Sequence, residues 1–216
     1  QLELGGKDGA YVAADADPKN AAESLVDGAM YNSGQSCCGV ERVYVHEDLH
    51  DAFVDHCAVL IDAYVLGDPS STATNLGPLA QASNATLMTE QIQDAVTKGA
   101  ELVRGGQTRV IQQATFFEPT LLTKTAHDMQ VMTLENFGPI LPVMKVASDD
   151  EALSLINDSS YGLTSIIFTR NKERAERFCD QAKTGTVFMN RCDYLHAHLP
   201  WPGVKARGTA TTPPKP

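Results

Sequence analysis

The chain has 216 residues, 43% of them apolar and 20% charged, with a formal net charge of −10. This is the balance of a globular protein with one substantial core, and the acidic excess without any cluster of Lys and Arg argues against nucleic acid as a partner. No apolar run reaches the length of a membrane span, and no basic, apolar leader opens the chain, so no membrane partner is expected. The five cysteines, Cys37, Cys38, Cys57, Cys179 and Cys192, are an odd number in a chain too large to need staples. That favours a reducing compartment, the cytoplasm or the interior of an organelle.

In chain order, Tyr11-Val12-Ala13-Ala14 reads as a strand, and Asp17-Pro18 as an N-cap followed by proline at the first helical position. Ala21, Ala22, Leu25, Val26, Ala29 and Met30 then recur at the helical period, and the helix ends near Asn32-Ser33-Gly34. Val40 to His46 alternates as a strand. Asp48 is expected to cap a helix that buries Leu49, Phe53, Cys57, Leu60, Ile61 and Tyr64, which makes Cys57 a core residue. Gly67 to Ser83 is rich in turn residues; a helix from about Asn84 to Lys98 and a strand from Glu101 to Val103 follow. Phe117 to Leu122 and Ile140 to Val146 read as strands, Asp149 to Asn157 as a helix, and Thr164 to Phe168 as a strand. Lys172 to Ala182 reads as a helix with Cys179 on its core face, and Thr186 to Met189 as a strand. Strands separated by helices predict an α/β fold with a doubly wound, largely parallel sheet flanked by helices.

The chemistry of the chain centres on two short segments. Cys37 lies in the glycine-flanked turn Gly34-Gln35-Ser36-Cys37-Cys38-Gly39, just past a predicted helix, and Glu3-Leu4-Gly5-Gly6-Lys7 opens the chain. A thiol attacks a carbonyl readily because a useful fraction ionises near neutral pH, and release of the resulting thioester needs a base, which Glu3 can be. Adjacent Cys37-Cys38, His56-Cys57 and His196-x-His198 do not form the spaced sets of four ligands typical of structural zinc, and His46 and His50 straddle a strand end and a helix start. No metal site is expected.

On these residues the chain resembles the NAD(P)-dependent aldehyde dehydrogenase superfamily. Glu3-Leu4-Gly5-Gly6-Lys7 is similar to its general-base signature, and Gly34-Gln35-Ser36-Cys37 to its nucleophile signature, with Cys37 rather than Cys38 in the catalytic place. Glu135-Asn136-Phe137-Gly138-Pro139 resembles the family's Glu-x-Phe-Gly-Pro segment, while Asn75-Leu76-Gly77-Pro78-Leu79, Gly185-Thr186-Val187 and Asn190 fall in family order. The resemblance implies a catalytic domain over 1–203 that uses NAD or NADP and an aldehyde substrate. Cys37 would form a thiohemiacetal and then a thioester, and Glu3 would activate water. Glu135 would bind the nicotinamide ribose, Phe137 would border the ring, and Leu4 and Gly5 would complete that end of the cofactor site. Ser36, Cys38, Leu195 and Trp201 would line the acyl pocket, and Asn190 would help order the loop near the nucleophile. Each has a plainer reading: Glu135 as a solvated helix-end carboxylate, Phe137 and Trp201 as packing residues, Asn190 as a turn residue after a strand. His196 and His198 could favour an acidic substrate or simply be a solvated loop pair.

The sequence also departs from the family. No glycine-rich strand-to-helix phosphate loop is present, since neither Gly5-Gly6 nor Gly105-Gly106 has the strand, helix and downstream acid that a dinucleotide fingerprint needs. The expectation is a catalytic domain without its N-terminal cofactor-binding domain, which would be its missing partner. After Lys205 the family pattern gives way to a tail ending Thr211-Thr212-Pro213-Pro214-Lys215-Pro216; residues 204–216 are expected to be a divergent, disordered tail lacking the strand on which the family's homo-oligomer depends. Three functions are therefore weighed: an aldehyde-oxidising catalytic domain that is inactive as a dehydrogenase alone, a non-enzymatic remnant or binding domain, and a cofactor-independent esterase using Cys37 and Glu3.

Overall fold

The computed structural model describes residues 4–192 and 201–207. A seven-stranded sheet runs in the order β3-β6-β7-β2-β1-β8-β9, with a separate two-stranded hairpin of β4 and β5. The strands are β1 (Asp8–Val12), β2 (Val40–His46), β3 (Glu101–Arg104), β4 (Thr108–Ile111), β5 (Ala114–Phe117), β6 (Thr120–Thr123), β7 (Ile140–Val146), β8 (Thr164–Phe168) and β9 (Thr186–Met189). All neighbours in the large sheet are parallel except β3, which runs antiparallel to β6 at one edge.

Helices cover both faces. Against one face lie α1 (Pro18–Met30) and α2 (His50–Ile61); against the other lie α3 (Asn84–Thr97), the short α4 (Gln130–Thr133), α5 (Asp149–Asn157) and α6 (Lys172–Gln181). The period of two divides each strand between two cores: Ala10 and Val12, Val43 and Val45, and Ile166 and Phe168 face α1 and α2, whereas Tyr11, Tyr44 and Ile167 face the other layer. Burial on both faces is why β1, β8 and most of β2 are buried along their length instead of alternating with solvent.

The expected cap of α1 is present. Asp17 accepts hydrogen bonds from the backbone N–H groups of Lys19 and Asn20 at 3.0 and 3.3 Å, Pro18 begins the helix, and all six apolar positions assigned to its inner face are buried. Cys57 is fully buried, and burial pushes its thiol up.

Three expectations need correction, and one hairpin went unread. Asp48 does not cap α2: its carboxylate lies 3.4 Å from His46 Nδ1, its backbone N–H donates to the same nitrogen, and the helix starts after Leu49 without a side-chain cap. Cys179 is exposed, because the face of α6 that meets the sheet carries Ala175 and Phe178 instead. Phe117 to Leu122 is two strands, since Pro119 has no N–H to offer a ladder and the chain crosses there from the hairpin to the main sheet. Finally, β4 and β5 had no clear sequence signal, being four residues each around Gln112 and Gln113, both at positive φ. Beyond Gly203, Val204 and Ala206 donate backbone N–H bonds to Gly162 and Ser160, and Lys205 Nζ donates to the carbonyls of Asn157 and Ser159 at the end of α5. The described chain thus passes the boundary drawn at Gly203; residues 208–216 lie outside the described residues. Among the described residues, no helix is long and apolar enough to cross a membrane.

Leu25 is fully buried between α1 and the sheet. Leu25→Ala should therefore lower stability by about 2–5 kcal/mol, and Asp17→Ala, which removes only the cap, by about 1 kcal/mol. Urea unfolding should show both as shifts in midpoint at unchanged slope, with Leu25→Ala the larger; the reverse order would contradict this packing.

Candidate active site

The turn bearing Cys37 joins the end of α1 to the start of β2. Asn32, Ser33 and Gly34 all adopt the left-handed conformation, with φ of 51°, 58° and 71°, which reverses the chain sharply. Gly34 is required for a second reason: a Cβ there would overlap the carbonyl of Gly138. The turn is held from outside by the Asn75-Leu76-Gly77-Pro78-Leu79 segment. Ser33 Oγ donates to the Gly77 carbonyl at 2.9 Å, and Gln35 Oε1 accepts from the Ala80 N–H at 2.7 Å. Gly39 N–H closes the turn on the Ser36 carbonyl at 3.0 Å, leaving Cys37 half-buried. Ser36 Oγ and Cys38 Sγ lie 3.3 Å apart, so the two flanking side chains meet each other.

The Leu4-Gly5-Gly6-Lys7 segment runs against this turn on its way into β1. A Cβ on Gly6 would overlap the Cys37 carbonyl oxygen, so the two backbones are in direct contact. Gly6 N–H donates to Glu135 Oε1 at 2.6 Å, and Gly5, at φ 75°, packs beside Glu135 and the Tyr161 ring. Three segments distant in sequence therefore converge at one edge of the sheet. That edge is formed by the amino ends of the strands, because Gly6, Cys37 and Phe137 precede β1, β2 and β7.

A buried ion pair lies behind the convergence. Lys7 Nζ meets Glu41 Oε2 at 2.8 Å with both side chains almost fully buried. Glu41 also accepts from the Asn136 N–H at 3.0 Å and the Phe137 N–H at 2.9 Å. Burial pushes the pKa of Lys7 down, and the adjacent Glu41 carboxylate opposes the shift. From the α3 side, Asn84 Nδ2 donates to the carbonyls of Asn136 and Phe137, and Gln91 Nε2 to that of Glu135. These bonds hold Phe137 at φ 48°, in the left-handed region.

Sequence reasoning missed Glu41, Arg42, Asp8 and Tyr161. The available signal was charge: Glu41-Arg42 interrupts a strand that is otherwise apolar through Val45 and continuously buried. Arg42 Nε donates to the Lys7 carbonyl at 3.0 Å and Nη2 to that of Ile156 at 3.2 Å, tying β1, β2 and α5 together. Asp8 accepts from both the backbone N–H and the hydroxyl of Thr164. Burial nevertheless raises its pKa to about 8, those two donors and Arg42 only partly offsetting it.

Glu3 and Leu195 lie outside the described residues, as do His196 and His198. Asn190 follows β9 at the carboxyl end of the sheet, opposite to Cys37, with φ 57° and paired bonds to the backbone N–H and carbonyl of Thr169. Trp201 is half-buried, its buried Nε1 has no hydrogen-bond partner among the described residues, and the following Pro202 packs on Gly185. Among the described residues no group of three or more His, Cys, Asp or Glu is placed to hold a metal ion.

A mostly parallel seven-stranded sheet flanked by helices is the fold shared with aldehyde dehydrogenase catalytic domains. The chain belongs to the aldehyde dehydrogenase family, whose profile matches residues 1–212. It is 39% identical over 207 residues to the NADP-dependent succinate-semialdehyde dehydrogenase of Deinococcus radiodurans, covering 96% of this chain and 43% of that protein. Among solved structures it is similar to lactaldehyde dehydrogenase from Escherichia coli, with a TM-score of 0.92, 36% identity, and coverage of 97% of this chain and 44% of that one. It is also similar to 3,6-anhydro-L-galactose dehydrogenase in complex with NAP, with a TM-score of 0.93, 36% identity, and coverage of 98% and 45%. The chain thus spans less than half the length of the relatives it matches.

The raised pKa of Asp8 has a defined pH signature. Its contribution to stability is fully present below about 3.8, the ordinary value, and is lost as pH rises to about 8, because only the unfolded chain ionises freely in that window. Asp8→Asn keeps an acceptor for the Thr164 N–H but removes the titration. Urea unfolding should show the variant gaining on the wild type between pH 4 and 8, by at most about 1.4 kcal/mol per pH unit. A constant difference across that range would show that Asp8 does not titrate there.

Proposed function

We propose that this chain carries the thiol chemistry of an enzyme that oxidises an aldehyde to a carboxylic acid with NAD or NADP. The observation that carries this reading is the packing of Gly6 directly on the Cys37 backbone while its N–H is bonded to Glu135. That contact supports the reading because it joins the Gly5-Gly6 segment, the Cys37 turn and Glu135.

Cys37 Sγ attacks the aldehyde carbon, and the carbonyl π electrons move to oxygen, where the Cys37 N–H can donate to the developing charge. Leu4, Gly5, Glu135 and Phe137 would hold the nicotinamide-ribose end of the cofactor. The fit is chemical: a carboxylate that accepts hydroxyl donors, beside a glycine at φ 75° where a side chain would intrude on it. When bound, the cofactor supplies the hydride acceptor that converts the thiohemiacetal to a thioester. Glu3 then takes a proton from water, the water oxygen bonds to the thioester carbon, and the C–S bond breaks to return the thiolate. Ser36 and Cys38 flank the carbon under attack, with Leu195 and Trp201 assigned to the mouth of the acyl pocket. The name of the Deinococcus radiodurans relative makes a short semialdehyde with NADP the first pair to assay.

The 216-residue chain alone should not turn over. Glu135 and Phe137 grip one end of the cofactor, and misplacing the hydride acceptor by about 1 Å costs on the order of 100-fold. A semialdehyde, NADP and the chain should give no more reduced-nicotinamide absorbance than a Cys37→Ala control. Adding in trans the part of the Deinococcus radiodurans relative to which this chain does not align should restore Cys37-dependent turnover. Robust turnover by the chain alone would refute the inactivity, and failure of every combination would count against the oxidation itself.

Thiol reactivity tests the nucleophile separately. With limiting iodoacetamide at pH 7, Cys37 should be alkylated before Cys38 and Cys57, and roughly tenfold faster than exposed Cys179, as expected for an activated thiol. Faster labelling of Cys179 would mean that Cys37 is not activated.

A further inference from the structure

Glu41 lies four residues beyond Cys37, at the start of β2, and none of the signature motifs includes it. Its side chain is almost fully buried, yet its two oxygens meet three donors: Lys7 Nζ at 2.8 Å, the Asn136 N–H at 3.0 Å and the Phe137 N–H at 2.9 Å. Burying a carboxylate is costly, and even a good ion partner often fails to recover the desolvation. An apolar pair would fill the same space at less expense. What an apolar pair could not do is hold two consecutive backbone amides.

Those amides belong to the segment carrying Glu135 and Phe137. Lys7 follows Gly6, which touches the Cys37 backbone and donates to Glu135. Glu41 is therefore linked to all three converging segments: covalently to the nucleophile turn, by an ion pair to the Gly5-Gly6 segment, and by two hydrogen bonds to the segment ending in Phe137. From α3, Asn84 and Gln91 hold only the carbonyls of that last segment. The N–H side is held by Glu41.

We propose that Glu41 is a positioning residue of the site: its carboxylate sets the distance between Cys37 and the Glu135-Phe137 cofactor ligands by holding the Asn136 and Phe137 amides against β2. This rests on the roles assigned above to Cys37, Glu135 and Phe137. Lys7 neutralises the carboxylate and is the second member of the device.

The test uses the 216-residue chain. Single removal of Glu41 strands a buried ammonium and invites unfolding, so the principal variant is the double Lys7→Met, Glu41→Met. It leaves no buried charge, and the thioether offers at most a weak acceptor to the two amides. Hydrogen exchange should accelerate by about tenfold or more at Asn136 or Phe137, with no change in the α2 amides from Phe53 to Cys57. The preference of iodoacetamide for Cys37 over Cys38 should fall at least about threefold as the turn loses its brace. Should the double variant fail to fold, Glu41→Asp decides: it keeps the charge for Lys7 but is one methylene too short to reach both amides, and the same selective exchange is expected. Exchange that is unchanged, or raised equally throughout the chain, overturns the proposal and leaves the ion pair a stability element. Failure of the functional reading shows elsewhere, as absence of Cys37 preference in the wild-type chain.

Discussion

The site depends on one buried ion pair. Lys7 and Glu41 are withdrawn from water, and such a pair persists only where further hydrogen bonds satisfy the charges. Here the additional donors are the backbone amides of Asn136 and Phe137, from a segment far along the chain. The energetic demand of the carboxylate and the geometric demand of the site are met by the same bonds. Arg42, next along β2, extends the arrangement by donating to the Lys7 carbonyl and to the end of α5. Charged side chains in the middle of an α/β core act here as fasteners between loops.

Backbone contact completes what the charges begin. Gly6 against Cys37 and Gly34 against Gly138 are approaches that no side chain would permit, which explains glycine in both signature motifs by space alone. The consequence is a site whose relative positions are fixed by main chain. Main chain has less freedom than side-chain rotamers, and chemistry that tolerates little misplacement benefits from that rigidity.

The placement of this site is unusual for an open parallel sheet, whose ligands commonly bind beyond the carboxyl ends of the strands. In this chain the carboxyl edge is occupied by ion pairs: Arg174 bridges Asp15 and Asp149, Arg177 pairs with Asp150, and Tyr11 donates to Asp149. Those groups satisfy one another across β1, β7 and β8. The amino edge instead gathers the loops that enter β1, β2 and β7. Segment 202–206 joins that edge too, packed on the loops before β8 and β9.

The sequence by itself determined the elements whose signals are local. The proline and Asp17 at the start of α1, the period of its buried face, and the apolar runs of β2, β7 and β8 were all legible, because hydrophobic period and capping act over a few residues. The motif segments were also legible, as was Cys57 in the core. Tertiary structure decided what those segments do to each other. Nothing near Cys179 reveals that α6 turns it outward, and Asp48 had the residue type of a cap but found His46 instead. The position of Asn190, after β9 at the carboxyl edge and bonded to Thr169, is likewise set by strand direction. Glu41 was invisible as a functional residue because its partners, Lys7, Asn136 and Phe137, are remote in sequence, and a buried charge acquires meaning only from the groups that solvate it.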